Sequence, residues 1–157
     1  MVFSQFTRFL DVVELGLTQA DIKFVRLDGS LSLAERKKAV DAFQNDTSVR
    51  VFILSLKAAA CGLNLTASKY VFMLDPWWNG AIEQQAIDRV HRYGQTKQVT
   101  VFRYVMRGSI EENLLLIQER KLKMSSAVLS EPNASKLSVD DLVTLFTRIT
   151  AMGDRSK

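Results

Sequence analysis

The sequence predicts an α/β fold: a parallel sheet flanked by helices, with a short helical tail. Three observations carry this. Short apolar or β-branched runs alternate with segments whose apolar residues recur at helical spacing. Two of the runs, 49–56 and 70–74, are apolar almost throughout, the pattern of strands covered on both faces. The strand-helix order then repeats along the chain, and parallel neighbours need such helix-length crossovers.

The elements follow in order. Residues 2–3 form a brief strand, after which Phe6, Leu10, Val13 and Leu17 fall at spacings of four, three and four on one helical face. A short strand is expected over 24–27. Ser32 with Glu35 has the spacing of a capping box, opening a helix that buries Leu33, Ala39, Val40 and Phe43. The runs 49–56 and 70–74 read as central parallel strands. A helix is expected over 81–92, capped by Asn79 and stopped by Gly94, before a strand over 99–105. Ser109 with Glu112 suggests a second capping box and a helix to Met124. The polar stretch SEPNASKLS, residues 130–138, separates this from an amphipathic tail helix carrying Leu142, Val143, Phe146 and Ile149, which packs on the domain. Residues 153–157 read as a frayed end. The expected organisation is a lobe over 1–130 and a polar linker with tail helix over 131–157.

Composition bounds the function. A chain of 157 residues that is 47% hydrophobic can bury one globular core. Its apolar runs fall far short of the roughly 20 residues that cross a bilayer, so no membrane association is expected. The first residues lack a basic cluster followed by an apolar stretch and cleavage site, which points to an intracellular setting. Cys61 and His91 are the sole cysteine and histidine, which argues against a disulfide framework or a structural zinc site. A net charge of +4 permits an anionic partner without requiring one. No serine sits in a nucleophile-elbow pattern.

The stretch QAIDRVHRYGQ, residues 85–95, is the most informative. On a continuous helix Gln85, Arg89 and Arg92 share one face, at i, i+4 and i+7. Spacing alone also allows a solvated face on which Asp88 pairs with Arg92 across one turn. Trp77 and Trp78 are open to two readings, a stacking platform for bases or local packing. His91 reads as structural, and Cys61 as a small buried residue.

Several segments, in order, resemble the Swi/Snf branch of superfamily-two helicases, across nearly the whole chain. VFSQFTRFLD (2–11) is similar to that family's fourth motif, and RLDGSLS (26–32) to the signature turn after it. SLKAAACGLNLTAS (55–68) resembles the fifth, DPWWN (75–79) its companion loop, and DRVHRYGQ (88–95) the sixth. The two-tryptophan loop and KLSVDDLVTLF (136–146) look most like the DNA-repair branch of translocases.

The resemblance implies a RecA-like C-terminal motor lobe of an ATP-dependent DNA translocase, of the chromatin-remodelling or DNA-repair kind, working in the nucleus. Arg89 and Arg92 would be arginine fingers reaching across a cleft to the γ-phosphate of ATP, supported by Gln85, Asp88 and Gln95. A guanidinium fork suits charge developing on phosphoryl oxygens, which the point charge of lysine does not match. Lys57, Gly62, Asn64 and Thr66 of the fifth segment would meet a duplex phosphate backbone without reading bases, at the carboxyl end of a parallel sheet. Trp78 and Asn79 would couple the fifth and sixth segments. Implied partners are duplex DNA, an N-terminal ATPase lobe, and chromatin or repair proteins.

Three features depart from that pattern. No G-x-x-x-x-G-K-[ST] loop occurs in the chain, so ATP and magnesium would be held only in the complete two-lobe motor and the chain alone would be inactive. The chain begins inside the fourth-motif strand, so a piece of a longer protein is expected. Ala59 and Ala60 stand where the family has paired glycines, which puts DNA contact by the fifth segment in question, and Gly80 stands where it has proline, which gives the helix a less rigid entry. The rival reading is a non-enzymatic DNA- or partner-binding module, or an inert fragment, derived from such a motor.

Overall fold

The computed structural model describes residues 1–59, 65–127 and 137–147, with the backbone alone for 124–127. It divides into two compact units: Met1–Asp75 with Ala81–Tyr104, and Pro76–Gly80 with Val105–Lys157.

The first unit holds the sheet. Strands β1 (Val2–Ser4), β2 (Phe24–Leu27), β3 (Val51–Ser55), β4 (Tyr70–Met73) and β5 (Thr100–Arg103) run in the order β2-β3-β1-β4-β5, all neighbours parallel. Between them lie α1 (Thr7–Gln19), α2 (Leu33–Asn45), α3 (Leu56–Ala59) and α4 (Gly80–Asp88). The predicted fold class holds. Phe3, Leu27, Phe52, Ile53, Leu54 and Val71 are fully buried in the sheet, so the apolar strand runs that signalled the fold also form its centre. Register brings the strand ends together, pairing Ser4 with Ser55 and Phe3 with Met73, so the loops after β1, β3 and β4 leave from one edge.

Several local expectations change. The runs 49–56 and 70–74 do form interior parallel strands, β3 and β4, but with β1 between them. The second run is not covered on both faces: Tyr70 and Phe102 are exposed and Phe72 is half-buried. These rings stabilise one another instead: Phe72 and Phe102 stack at 5.1 Å. In α1, Leu10 is buried as expected, but Phe6 is the N-cap residue and is exposed. The Ser32–Glu35 capping box forms: Ser32 Oγ accepts from Glu35 N–H, and the Glu35 carboxylate accepts from Ser32 N–H at 2.8 Å. Leu33, expected in the core, is exposed in the first turn of α2, where Phe43 makes the ring contact with Phe52 at 5.1 Å.

Arg26 of β2 ties α1 to the sheet. Its guanidinium donates to Asp11 at 2.5 Å, Glu14 at 2.6 Å and Asp28 at 2.8 Å. Burial opposes its charge, and the three carboxylates more than offset that, raising its pKa. The Asp28 carboxyl is held below its ordinary range, chiefly by the Ser30 hydroxyl acting against burial, then by Ser30 N–H and Arg26.

The second unit is built on α5 (Ile110–Ala127) and α6 (Val139–Phe146). The expected box at its start is replaced by an offset arrangement. Ser109 Oγ accepts from Glu111 N–H at 3.1 Å, and the Glu112 carboxylate accepts from Gly108 N–H at 3.1 Å. Gly108 has φ +70, a left-handed turn that moves the reachable amide back by one residue. The tail helix forms, but not with its apolar side inward: Leu142, Val143 and Phe146 are exposed, and Ile149 lies outside the described residues. Asp141, only 2% exposed, is the inward residue instead, bonded to Arg120 and lying 3.2 Å from Lys121 Nζ. Ser138 caps α6, and Asn113 Nδ2 donates to Leu145 O and Thr147 O, each at 3.0 Å.

Asp141 yields a pH prediction. Burial would raise its pKa, but Ser138, Lys121 and Arg120 outweigh it and hold the carboxyl at about 2, against an ordinary 3.8. A carboxyl depressed in the folded state stabilises above its unfolded pKa, and that contribution disappears as pH falls through about 2. The Asp141→Asn variant is therefore expected to lose about 2 kcal/mol at pH 7, relative to the parent, with the gap closing below pH 3. Thermal melts of both proteins across that range check it.

Candidate functional site

The sixth segment is built differently from a continuous helix. α4 ends at Asp88, and residues 89–94 form turns. The amides of Arg89 and Val90 turn back to Ala86 O and Ile87 O in i−3 fashion, and Arg89 C=O leaves the helical ladder to accept from Leu65 N–H at 3.0 Å. Gly94, at φ +98, completes the reversal. Arg92 therefore does not share a helical face with Gln85 and Arg89; it is exposed in the turn. Asp88 accepts from Gln84 at 2.9 Å, the i, i+4 partner on its own helix, rather than forming the pair with Arg92 that spacing alone allowed.

Gln95 has a more definite task than the spacing suggested. Its side-chain amide donates to Thr66 O at 2.9 Å and Ser68 O at 2.8 Å, clamping the end of the fifth segment. The Leu65–Arg89 and Gln95–Thr66 bonds join the fifth and sixth segments directly. Within them Leu65 and Val90 are fully buried, so the two polar bonds flank an apolar seam. Gln95→Ala leaves two carbonyls without their donor, and should lower stability by about 2 kcal/mol, with faster amide exchange at residues 65–68. Urea unfolding with hydrogen-exchange mass spectrometry reads both effects.

Arg89 is half-buried, and its Nε lies out of solvent with no hydrogen-bond partner among the described residues. Because the residue is only half-buried, its permanent cation can still meet an anionic acceptor brought by something else. Gln85 is exposed on α4 and His91 is exposed beside Arg92. In the fifth segment Lys57 is exposed on the short helix α3, and Thr66 is half-buried in a turn. Ala59 is buried in α3 and is not among the residues with positive φ, so alanine is unstrained there. Gly62, Asn64, Ala60 and Cys61 lie outside the described residues.

Asp75 was not singled out from the sequence. It is 5% exposed and accepts from the Ser4 hydroxyl and from Gln5 N–H at 2.8 Å, fixing the turn from β1 into α1. Its signal was the lone acid at the end of an apolar strand, immediately before Pro76. Glu83, 1% exposed, faces Arg103 Nη2 at 3.4 Å and was missed likewise.

The second unit contains the two-tryptophan loop. Trp77 and Trp78 are both half-buried with ring centroids 6.0 Å apart. Gln118 donates to Trp77 C=O, and Lys121 Nζ lies 4.7 Å from the Trp78 ring centroid. Asn79 precedes α4, and Gly80 opens that helix with its Cα facing Gln118: a Cβ there would stand 3.4 Å from Cδ of that side chain.

A parallel five-stranded sheet with its motif loops gathered at one edge, and an arginine turn bonded to the loop after β3, defines a RecA-like helicase lobe. Residues 1–94 match the helicase conserved C-terminal domain, and the chain belongs to that family. Its relatives are DNA-repair and helicase-like proteins of Swi/Snf type. It is 43% identical over 147 residues to the DNA repair protein RAD5A of Arabidopsis thaliana, an alignment covering 94% of this chain and 14% of that protein. It is 48% identical over 150 residues to the helicase-like transcription factor CHR28 of the same plant, covering 93% and 15%. With the DNA repair protein rad8 of Schizosaccharomyces pombe it shares 45% identity over 147 residues, covering 93% and 13%. Among solved structures it resembles the C-terminal part of the Fun30 ATPase domain, with TM-score 0.73 and 40% identity, covering 74% of this chain and 38% of that one. The chain thus spans about a seventh of the curated relatives it matches.

Proposed function

We propose that this chain is the second motor lobe of a nuclear, ATP-dependent DNA translocase of the repair or remodelling kind, and that Arg89 is its principal arginine finger. The observation that carries the reading is the half-buried Arg89, whose Nε has no partner among the described residues, on a turn bonded to the fifth segment. Such a residue is oriented by its backbone and left with a charge-assisted donor to give.

In this reading the triphosphate and its magnesium belong to a first lobe, because this chain has no phosphate loop. Arg89 stabilises negative charge on the transferring phosphoryl oxygens, and Arg92, exposed one turn on, adds a second positive charge. Gln95 supports them indirectly, by fixing the turn to Thr66 and Ser68. Lys57 and Thr66, with Gly62 and Asn64, contact a duplex backbone, a mode that ignores base identity as movement along DNA requires. Because the Leu65–Arg89 bond links the two functions, a change in nucleotide state reaches the DNA loop through two residues. Trp78 and Asn79, between β4 and α4 in the chain, assist that coupling.

The test is DNA-stimulated ATP hydrolysis with and without a cognate first lobe. Turnover that needs both lobes, and is lost when Arg89 and Arg92 are both replaced by alanine, supports the reading; arginine-dependent turnover by this chain alone contradicts it.

A further inference from the structure

We propose that α6 is a strap that sets the two-tryptophan loop, with Lys121 as the positioning residue between them. Lys121 Nζ lies 3.2 Å from Asp141 Oδ2 on α6 and 4.7 Å from the Trp78 ring centroid, so one cation touches both elements. A single ammonium over a half-exposed ring is too weakly held to order a four-carbon side chain. The buried Asp141 carboxylate adds a charged restraint from α6, so the position of the cation over Trp78 is tied to α6 being in place.

The rest of α5 fits this task. Gln118, one turn before Lys121, donates to Trp77 C=O, so the two side chains hold both tryptophans of the loop from one helical face. Asn113 and Arg120 hold opposite ends of α6, at Leu145 and Thr147 and at Asp141. The strap is therefore fastened by polar groups at both ends, while Leu142, Val143 and Phe146 remain exposed. Polar fastening suits an element that docks in one geometry and releases when one partner is lost. Its consequence for turnover rests on the motor reading, in which residues 76–80 couple the fifth and sixth segments; its effect on the loop does not.

Trp77 and Trp78 are the chain's two tryptophans, so emission excited at the red edge of the absorption band, where the three tyrosines do not absorb, reports this loop alone. In the full 157-residue chain, Lys121→Met and Asp141→Asn are each expected to shift the emission to the red and ease acrylamide quenching. The double variant should add nothing, and Lys121→Arg should keep the parent spectrum. Asn113→Ala, which loosens the far end of α6 without touching Lys121, should shift emission in the parent background and not beside Lys121→Met. Far-UV circular dichroism confirms folding in each case. An Asp141→Asn or Asn113→Ala shift that persists undiminished beside Lys121→Met overturns the proposal, as does an unchanged spectrum in both single variants at Lys121 and Asp141. Failure of the strap appears in this emission, whereas failure of the motor reading appears in ATP turnover.

Discussion

Replacing Arg89 by alanine, in a protein that joins this chain to a cognate phosphate-binding lobe, is expected to lower ATP turnover by about 10³-fold or more while leaving duplex affinity nearly unchanged. The size follows from its task. An arginine supplied in the transition state acts where charge is spread over phosphoryl oxygens, and its loss is felt in the chemical step more than in ground-state binding. The separation from DNA affinity follows from the structure, since Arg89 is joined to the fifth segment by its carbonyl, which alanine retains. Arg89→Lys should recover little, because a lysine ammonium lacks the planar fork of the guanidinium. Steady-state turnover and salt-matched duplex titrations of the same preparations check both halves; a parallel loss of affinity and turnover would mean that Arg89 holds DNA instead.

The largest effect on stability is expected at Arg26. Arg26→Met keeps the stem but removes the cation from Asp11, Glu14 and Asp28, leaving the 6% exposed Asp28 with the Ser30 hydroxyl and amide as its donors among the described residues. Breaking a largely buried pair by deleting one partner is worth about 3 kcal/mol. Urea unfolding of the full chain should show that loss in full at neutral pH. It should shrink in acid, because the Asp28 carboxyl, held below its ordinary range in the fold, stabilises only while ionised. Arg26→Lys should recover part of it, since one ammonium cannot span three carboxylates on α1 and the following turn.

The fold was legible because burial and periodicity coincide in the strands. Phe52, Ile53 and Leu54 announce β3 by composition and are its buried residues, and Ser32 with Glu35 marks the start of α2 by a bond that forms locally. Local chemistry of that kind survives folding. What failed to show was set by partners far along the chain. Arg89 looked helical with Arg92, but its carbonyl is taken by Leu65, and no periodicity encodes that exchange. Asp141 lay in an amphipathic pattern whose apolar side seemed the packing side, until Arg120 and Lys121 on α5 turned it inward. Gln95 was noted as a supporting residue, although its true partners, Thr66 and Ser68, lie in another segment. The order of the motifs identified the lobe, while their connections to one another required three dimensions.

The central claim, that this lobe supplies charge to a nucleotide held elsewhere, is tested most directly by DNA-stimulated ATP hydrolysis with a separately purified cognate first lobe. The predicted result is negligible turnover by either partner alone, stimulation when the chain is added, and no stimulation by the chain carrying both Arg89→Ala and Arg92→Ala. Equal stimulation by the parent and the double variant, or arginine-dependent hydrolysis by this chain without the other lobe, would contradict it.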